Sequence, residues 1–168
     1  EPSSLKYIGR HCFFQCFSLN QIDIPDSVTS IKKYSFYECN KLARVKISST
    51  SKSLGKYSFY KCGFKNFIIP SNVTIIKDFA FSSCSLLELM IFPSSVKIIG
   101  NEAFGSCISL KQIVIPSSVT YIGYRAFISC PLSIELYIPS SITSIKQYVV
   151  PEYSSIKEFS IPDSRTSI

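Results

Sequence analysis

Six cysteines, Cys16, Cys39, Cys62, Cys84, Cys107 and Cys130, recur at intervals of 23, 23, 22, 23 and 23 residues. A chain spaced in this way is one short unit copied along its length, and a period between about 20 and 29 residues is that of a solenoid. Aligning on proline makes the copies explicit. PSSVKIIGNEAFGSCISLKQIVI from Pro93 is followed directly by PSSVTYIGYRAFISCPLSIELYI from Pro116. Earlier copies open at residues 2, 25, 48 and 70, the last full one at 139, and a partial one at 162. A single copy buries too few apolar side chains, at roughly 1.5–3 kcal/mol each, to offset a backbone ordering cost of roughly 1–2 kcal/mol per residue. Stacking alone changes that balance, so residues 1–168 are expected to form one elongated domain.

Each unit has a readable anatomy. Its last stretch, as in Leu110–Ile115, alternates in polarity, which predicts a half-buried strand. Proline follows at 25, 70, 93, 116, 139 and 162 and turns the chain. A second apolar pair, such as Val119 and Ile122, predicts a second short strand. The segment after it, Tyr124–Ser129, is too short for a stable helix and suits a single helical or 3₁₀ turn. Its Ala126–Phe127 pair recurs as Ala103–Phe104, Ala80–Phe81, Ser58–Phe59 and Ser35–Phe36, which predicts a phenylalanine spine opposite the first sheet. Glycine follows the second strand at 9, 55, 100 and 123, but lysine stands there at 32, 77 and 146. A tight bend that favours glycine fits this exchange better than a required positive φ.

The pattern IPSSVTSIG..AF..C.SL..I.IP resembles the BspA-like class of leucine-rich repeats over essentially the whole chain. That resemblance implies a right-handed solenoid with a parallel β-sheet on its concave face. It also implies display on the surface of anaerobic bacteria or parasitic protists, and adhesion to host cells or matrix. The departures are local. Ser48 replaces the proline, a residue is missing after Cys62, and the copy from Pro139 has lost its Phe and Cys, so regular coils are expected only to about residue 148. The chain opens one residue before its first proline and stops inside a copy, which reads as a segment of a longer array. Any membrane association is therefore expected to come through segments outside it.

Other chemistries find little support. The cysteines lack the close pairs of zinc sites, apart from Cys12 and Cys16, and there is one histidine, His11. The thiols read as small core hydrophobes, Cys12 among them; disulfides between successive coils remain open where α-carbons approach to about 6 Å. No nucleophile stands beside a base and an orienting group, carboxylates form no recurring pair, and no glycine-rich phosphate loop exists. A non-enzymatic module without cofactor or metal is expected. Asn72-Val73-Thr74 is the one N-x-[ST] sequon, on a turn, and marks Asn72 as a glycosylation candidate should the source secrete it through a eukaryotic pathway.

Two surface features suggest binding. The net charge of +7 is uneven, with twelve Lys/Arg against five Asp/Glu in residues 1–84 and six against six thereafter. Lys46, Lys52, Lys56, Lys61 and Lys65 form the core of a candidate basic band suited to acidic glycans, acidic proteins or an anionic surface. A solvated lysine-rich surface that merely keeps the solenoid soluble fits the same residues. Nucleic acid is not expected, because most of the regularly repeated aromatics belong to the spine. On the concave strands the outward positions include Ile68, Leu89, Ile91, Gln112, Val114, Glu135 and Tyr137, with the register open by one residue in the shortened coil. Ile, Ile, Val and Tyr thus stand in four successive coils where water is expected, a candidate interface, although β-branched and aromatic residues suit strands regardless. Together these features suggest a cell-surface, extracellular binding module whose partner is a host or matrix protein, an acidic glycan or a second copy of the solenoid. A structural stalk or self-assembly segment, and an intracellular interaction scaffold, are the alternatives.

Overall fold

The computed structural model describes residues 4–131, 135–142 and 149, and of residues 135–137 the backbone alone. It is a parallel β-solenoid. Each coil contributes a three-residue strand and a two-residue strand. In chain order these are β1 (Tyr7–Ile8), β2 (Gln21–Asp23), β3 (Ser30–Ile31), β4 (Arg44–Lys46), β5 (Ser53–Leu54) and β6 (Asn66–Ile68). They continue as β7 (Ile75–Ile76), β8 (Leu89–Ile91), β9 (Ile98–Ile99), β10 (Gln112–Val114), β11 (Tyr121–Ile122) and β12 (Glu135–Tyr137). The full copy from Pro139 and the partial one from Pro162 lie, except for Pro139–Ile142 and Val149, outside the described residues.

The two sheets behave differently. The two-residue strands form one unbroken parallel sheet, β1-β3-β5-β7-β9-β11, with pairs such as Ile8↔Ile31 and Ile76↔Ile99. The three-residue strands form two pieces, β2-β4 and β6-β8-β10-β12. The break falls at the short coil. One residue is missing after Cys62, so the chain cuts the corner and Phe64 fills the buried position held by Leu42 and Leu87 in neighbouring coils. A β-carbon on Gly63 would meet the Asn40 carbonyl oxygen at 2.2 Å, so only glycine passes there. Phe67 then stands where other coils carry Ile22, Val45, Met90 or Ile113. Its ring packs on Phe59, Phe64 and Phe81, at 5.1, 4.9 and 4.8 Å, which ties the arm to its own coil and the following one.

The third side of each coil is a run of turns rather than the expected 3₁₀ or helical turn. Two residues per coil, four apart, are left-handed: His11 and Gln15, Tyr34 and Glu38, Tyr57 and Lys61, Phe79 and Ser83, Glu102 and Ser106, Arg125 and Ser129. Successive N–H groups therefore alternate in direction. Tyr34, Phe36 and Glu38 donate to Lys56, Ser58 and Tyr60 of the next coil, whereas Tyr37 and Cys39 donate back to Tyr34 and Phe36. A helix would send every N–H along its own axis; the alternation builds a third ladder between coils.

Inside, Phe13, Phe36, Phe59, Phe81, Phe104 and Phe127 stack with centroids 5.0–5.6 Å apart, the predicted spine. The cysteine period has a hydrogen-bonding cause. Each thiol of Cys39, Cys62, Cys84, Cys107 and Cys130 donates to the carbonyl of the spine phenylalanine one coil earlier, at 3.0–3.3 Å. All seven cysteines are free thiols. Burial pushes Cys39 up to about 11, and Cys84 and Cys130 to about 12. Cys12, expected to point inward, is exposed instead, because no described coil packs over it. The recurring glycines have negative φ. Their reason is close approach: a β-carbon on Gly100 would meet Asp78 N at 2.7 Å, and one on Gly123 would meet Asn101 N at 2.5 Å.

Candidate functional site

The face of the first sheet follows from strand alternation. Val45, Phe67, Met90 and Ile113 turn inward, and their neighbours turn to solvent. Pairing of Asn66↔Leu89, Phe67↔Met90 and Ile68↔Ile91 settles the register of the short coil. The apolar row is exposed as expected: Ile68 at 68%, Leu89 at 39%, Ile91 at 47% and Val114 at 59%. Gln112 is exposed beside it. Glu135 and Tyr137 lie opposite Gln112 and Val114 on β12, and their side chains lie outside those described.

At the lower end of this row, where β4 and β6 part, a cavity of about 660 Å³ opens. Val45, Ile47, Phe67, Ile69 and Phe92 make its apolar wall, and Arg44 and Lys46 stand on the β4 side. Arg44 pairs with Asp23 at 3.3 Å, whereas Lys46 has no acidic partner among the described residues. Sequence reasoning noted the missing residue but not the opening it makes.

The five candidate lysines do not gather into one patch. Lys46 lies on the first sheet, Lys52 and Lys56 flank the second, and Lys61 is on the turns. Lys56 meets Asp78 at 3.2 Å, Lys61 meets Glu38 at 2.9 Å, and Lys65 lies 3.8 Å from Glu88, which also binds Lys111. Hydrogen bonds from Lys61 and then Gln15 hold the Glu38 carboxyl below its usual range, and the same contact raises Lys61. Asn72 is exposed on its turn, and its side-chain nitrogen donates to the Ser49 carbonyl at 2.7 Å.

The turn side carries a second surface. His11, Tyr34, Tyr57 and Phe79 stack at 5.0, 4.9 and 4.5 Å, and Phe14, Tyr37 and Tyr60 stack beside them at 4.9 and 4.7 Å. Lys33 and Lys56 lie over these rings, 4.9 Å from Tyr34 and 5.8 Å from Tyr57. The first row ends after the fourth coil, where Glu102 takes the next position, and the second after the third coil, where Ser82 does. Its signal was the repeated pentad KYSFY at 33–37 and 56–60. Among the described residues, no group of three or more His, Cys, Asp or Glu could hold a metal ion. No helix there is long and apolar enough to cross a membrane.

Comparison with known proteins agrees with this geometry. The profile of the BspA type leucine rich repeat region (6 copies) matches residues 2–88 and 75–168. A leucine-rich repeat protein from Bacteroides ovatus is 26% identical, with a TM-score of 0.58 over 83% of this chain and 48% of that one. The T. pallidum leucine rich repeat protein is also 26% identical, with a TM-score of 0.54 over 88% and 64%. A leucine rich cell surface protein from Faecalibacterium prausnitzii, 21% identical, shares the fold with a TM-score of 0.51 over 98% and 72%. The chain thus spans about half to two thirds of the length of the first two. No curated protein matches it. Repeat period, solenoid and profile converge: this chain belongs to the BspA-type leucine-rich repeat family.

Proposed function

We propose that the chain is a non-enzymatic protein-binding module of a cell-surface protein and adheres to host-cell or matrix proteins through the face of its first sheet. The observation that carries this reading is the row Ile68, Ile91 and Val114, exposed on consecutive parallel strands. Exposed apolar area on a rigid face marks an interaction site, and such anchors dominate binding energies once desolvated. The name of the F. prausnitzii protein supports the surface assignment. Lys46 and Lys52, without acidic partners among the described residues, would steer an acidic partner toward the face.

The test is binding of the purified protein to epithelial cells and matrix proteins over a salt series. Val114→Asp is expected to weaken saturable binding at least about tenfold, a loss of roughly 1.4 kcal/mol. Neutralising Lys46 and Lys52 together is expected to reduce mainly the salt dependence. Absence of saturable binding by folded protein would overturn the adhesive reading. Self-assembly, the second reading of the same exposed row, predicts a concentration-dependent dimer abolished by Ile91→Asp.

A further inference from the structure

The break in the first sheet leaves two strand edges facing each other across a cavity, and their backbone chemistry is unfinished. In β2-β4, Arg44 N–H donates to Asn20 and Lys46 accepts from Ile24. That parallel pattern turns Arg44 and Lys46 backbone groups toward β2 and those of Val45 and Ile47 away from it. In β6-β8, Ile69 donates to Ile91 and Leu89 to Lys65. The Asn66 and Ile68 groups therefore point away from β8, toward β4. No backbone hydrogen bond spans the seam between these residues, whereas every other adjacent pair of described three-residue strands is hydrogen-bonded. An edge of unpaired N–H and C=O groups is a template for an added strand.

We infer that the seam is a strand-insertion site, where an extended segment of a partner protein with alternating apolar and acidic side chains hydrogen-bonds to Val45 and Ile47 on one side and Asn66 and Ile68 on the other. The cavity, about 660 Å³, lies within the roughly 300–1,000 Å³ of ordinary ligand sites. Alternation fixes what the segment looks like. Side chains turned inward meet Val45, Phe67 and Phe92, and those turned outward lie beside Lys46. The inward set is therefore apolar and the outward set acidic, in keeping with the excess of positive charge in this half of the chain. A second copy is a poor occupant, because each described strand is already built into a coil. The inference goes beyond adhesion by the flat face, since it uses backbone edges and a cavity that Val114 does not touch.

The probe is a fluorescein-labelled heptapeptide alternating valine with glutamate, titrated against the purified protein and followed by anisotropy and by amide exchange. Saturable binding is expected, with slowed exchange at Val45, Ile47, Asn66 and Ile68. The same peptide N-methylated on alternate backbone nitrogens is expected to bind at least about tenfold more weakly, and a valine–lysine peptide not at all. Ile68→Pro removes an N–H that makes no bond in the free protein, so the fold is expected to survive and the peptide to be lost. Should that variant not fold, Lys46→Glu serves: it is expected to weaken the glutamate peptide and admit the lysine one. Val114→Asp is expected to leave peptide binding unchanged even where it abolishes adhesion, which separates the two proposals. No binding of the glutamate peptide, equal binding of the N-methylated one, or a dimer that closes the seam in sedimentation would each overturn the inference.

Discussion

The same coils make an unbroken six-stranded sheet on one side and a split sheet on the other. The second sheet and the turns run through the short coil undisturbed, because the missing residue lies outside both. Pairing of Ser53 and Leu54 with Ser30 and Ile31, and donation from Phe36 to Ser58, continue in phase. The first sheet receives the whole shift, since the cut corner after Cys62 leads directly into β6. In a solenoid a deletion is thus confined to the arm that follows it, and the other two arms hold the register.

This contrast can be broken or sharpened in graded steps. The largest effect is expected on the continuous side: Phe81→Ala removes a fully buried ring stacked 5.6 Å from both Phe59 and Phe104. It is expected to cost about 3–5 kcal/mol in denaturant unfolding. A cost under 1 kcal/mol would show that the spine is not where the coils are held. Next come equivalent strand positions. Ile113, fully buried in the regular sheet, is expected to cost about 2–5 kcal/mol as alanine, against about 1 kcal/mol for half-buried Val45 at the seam. Equal costs would mean that the seam is as well packed as the rest.

The smallest effects concern glycine and the thiols. Gly100→Ala brings a β-carbon to 2.7 Å from Asp78 N and is expected to cost about 1–3 kcal/mol, whereas Gly9→Ala, with nothing within 4 Å, is expected to be near neutral. Comparable melting temperatures for the two would refute close approach as the reason for glycine. For the thiols the sign follows from burial. Cys39, Cys84 and Cys130 keep their protons in the fold to pH about 11–12, while unfolded thiols ionise near 8.5. Their contribution is present below about pH 8.5 and is lost as pH rises toward 11–12. The raised Tyr37, Tyr57 and Lys61 act in the same direction. Denaturation midpoints should therefore fall between pH 8 and pH 10, and a flat profile would count against thiol burial.

Much of this was legible in the sequence, because period and alternation are one-dimensional records of stacking. The spine phenylalanines, the outward register of Ile91 and Val114, and the location of the short coil all follow from position in the repeat, whereas the register of Ile68 in the short coil was fixed only by its pairing with Ile91. Three further things did not follow. The turns were expected to be 3₁₀ or helical because residues such as Tyr34 and Arg125 carry no mark of a left-handed conformation; only the hydrogen bonds to the next coil favour it. The basic band looked continuous in sequence, but a coil wraps its residues around the whole circumference, and the acids that meet Lys56, Lys61 and Lys65 lie in other copies. The seam needed three dimensions as well, since a missing residue can be absorbed in a loop, and only the packing of Phe64 and Phe67 against the following coil turns it into an opening.

The seam also has a mechanical meaning. Pulled along its axis, the solenoid carries load between neighbouring coils on three ladders: the first sheet, the second sheet and the turns. Between the coils from Pro25 and Ser48 it carries load on two. Under an axial pull the described coils would part there first, because one of the three ladders is missing.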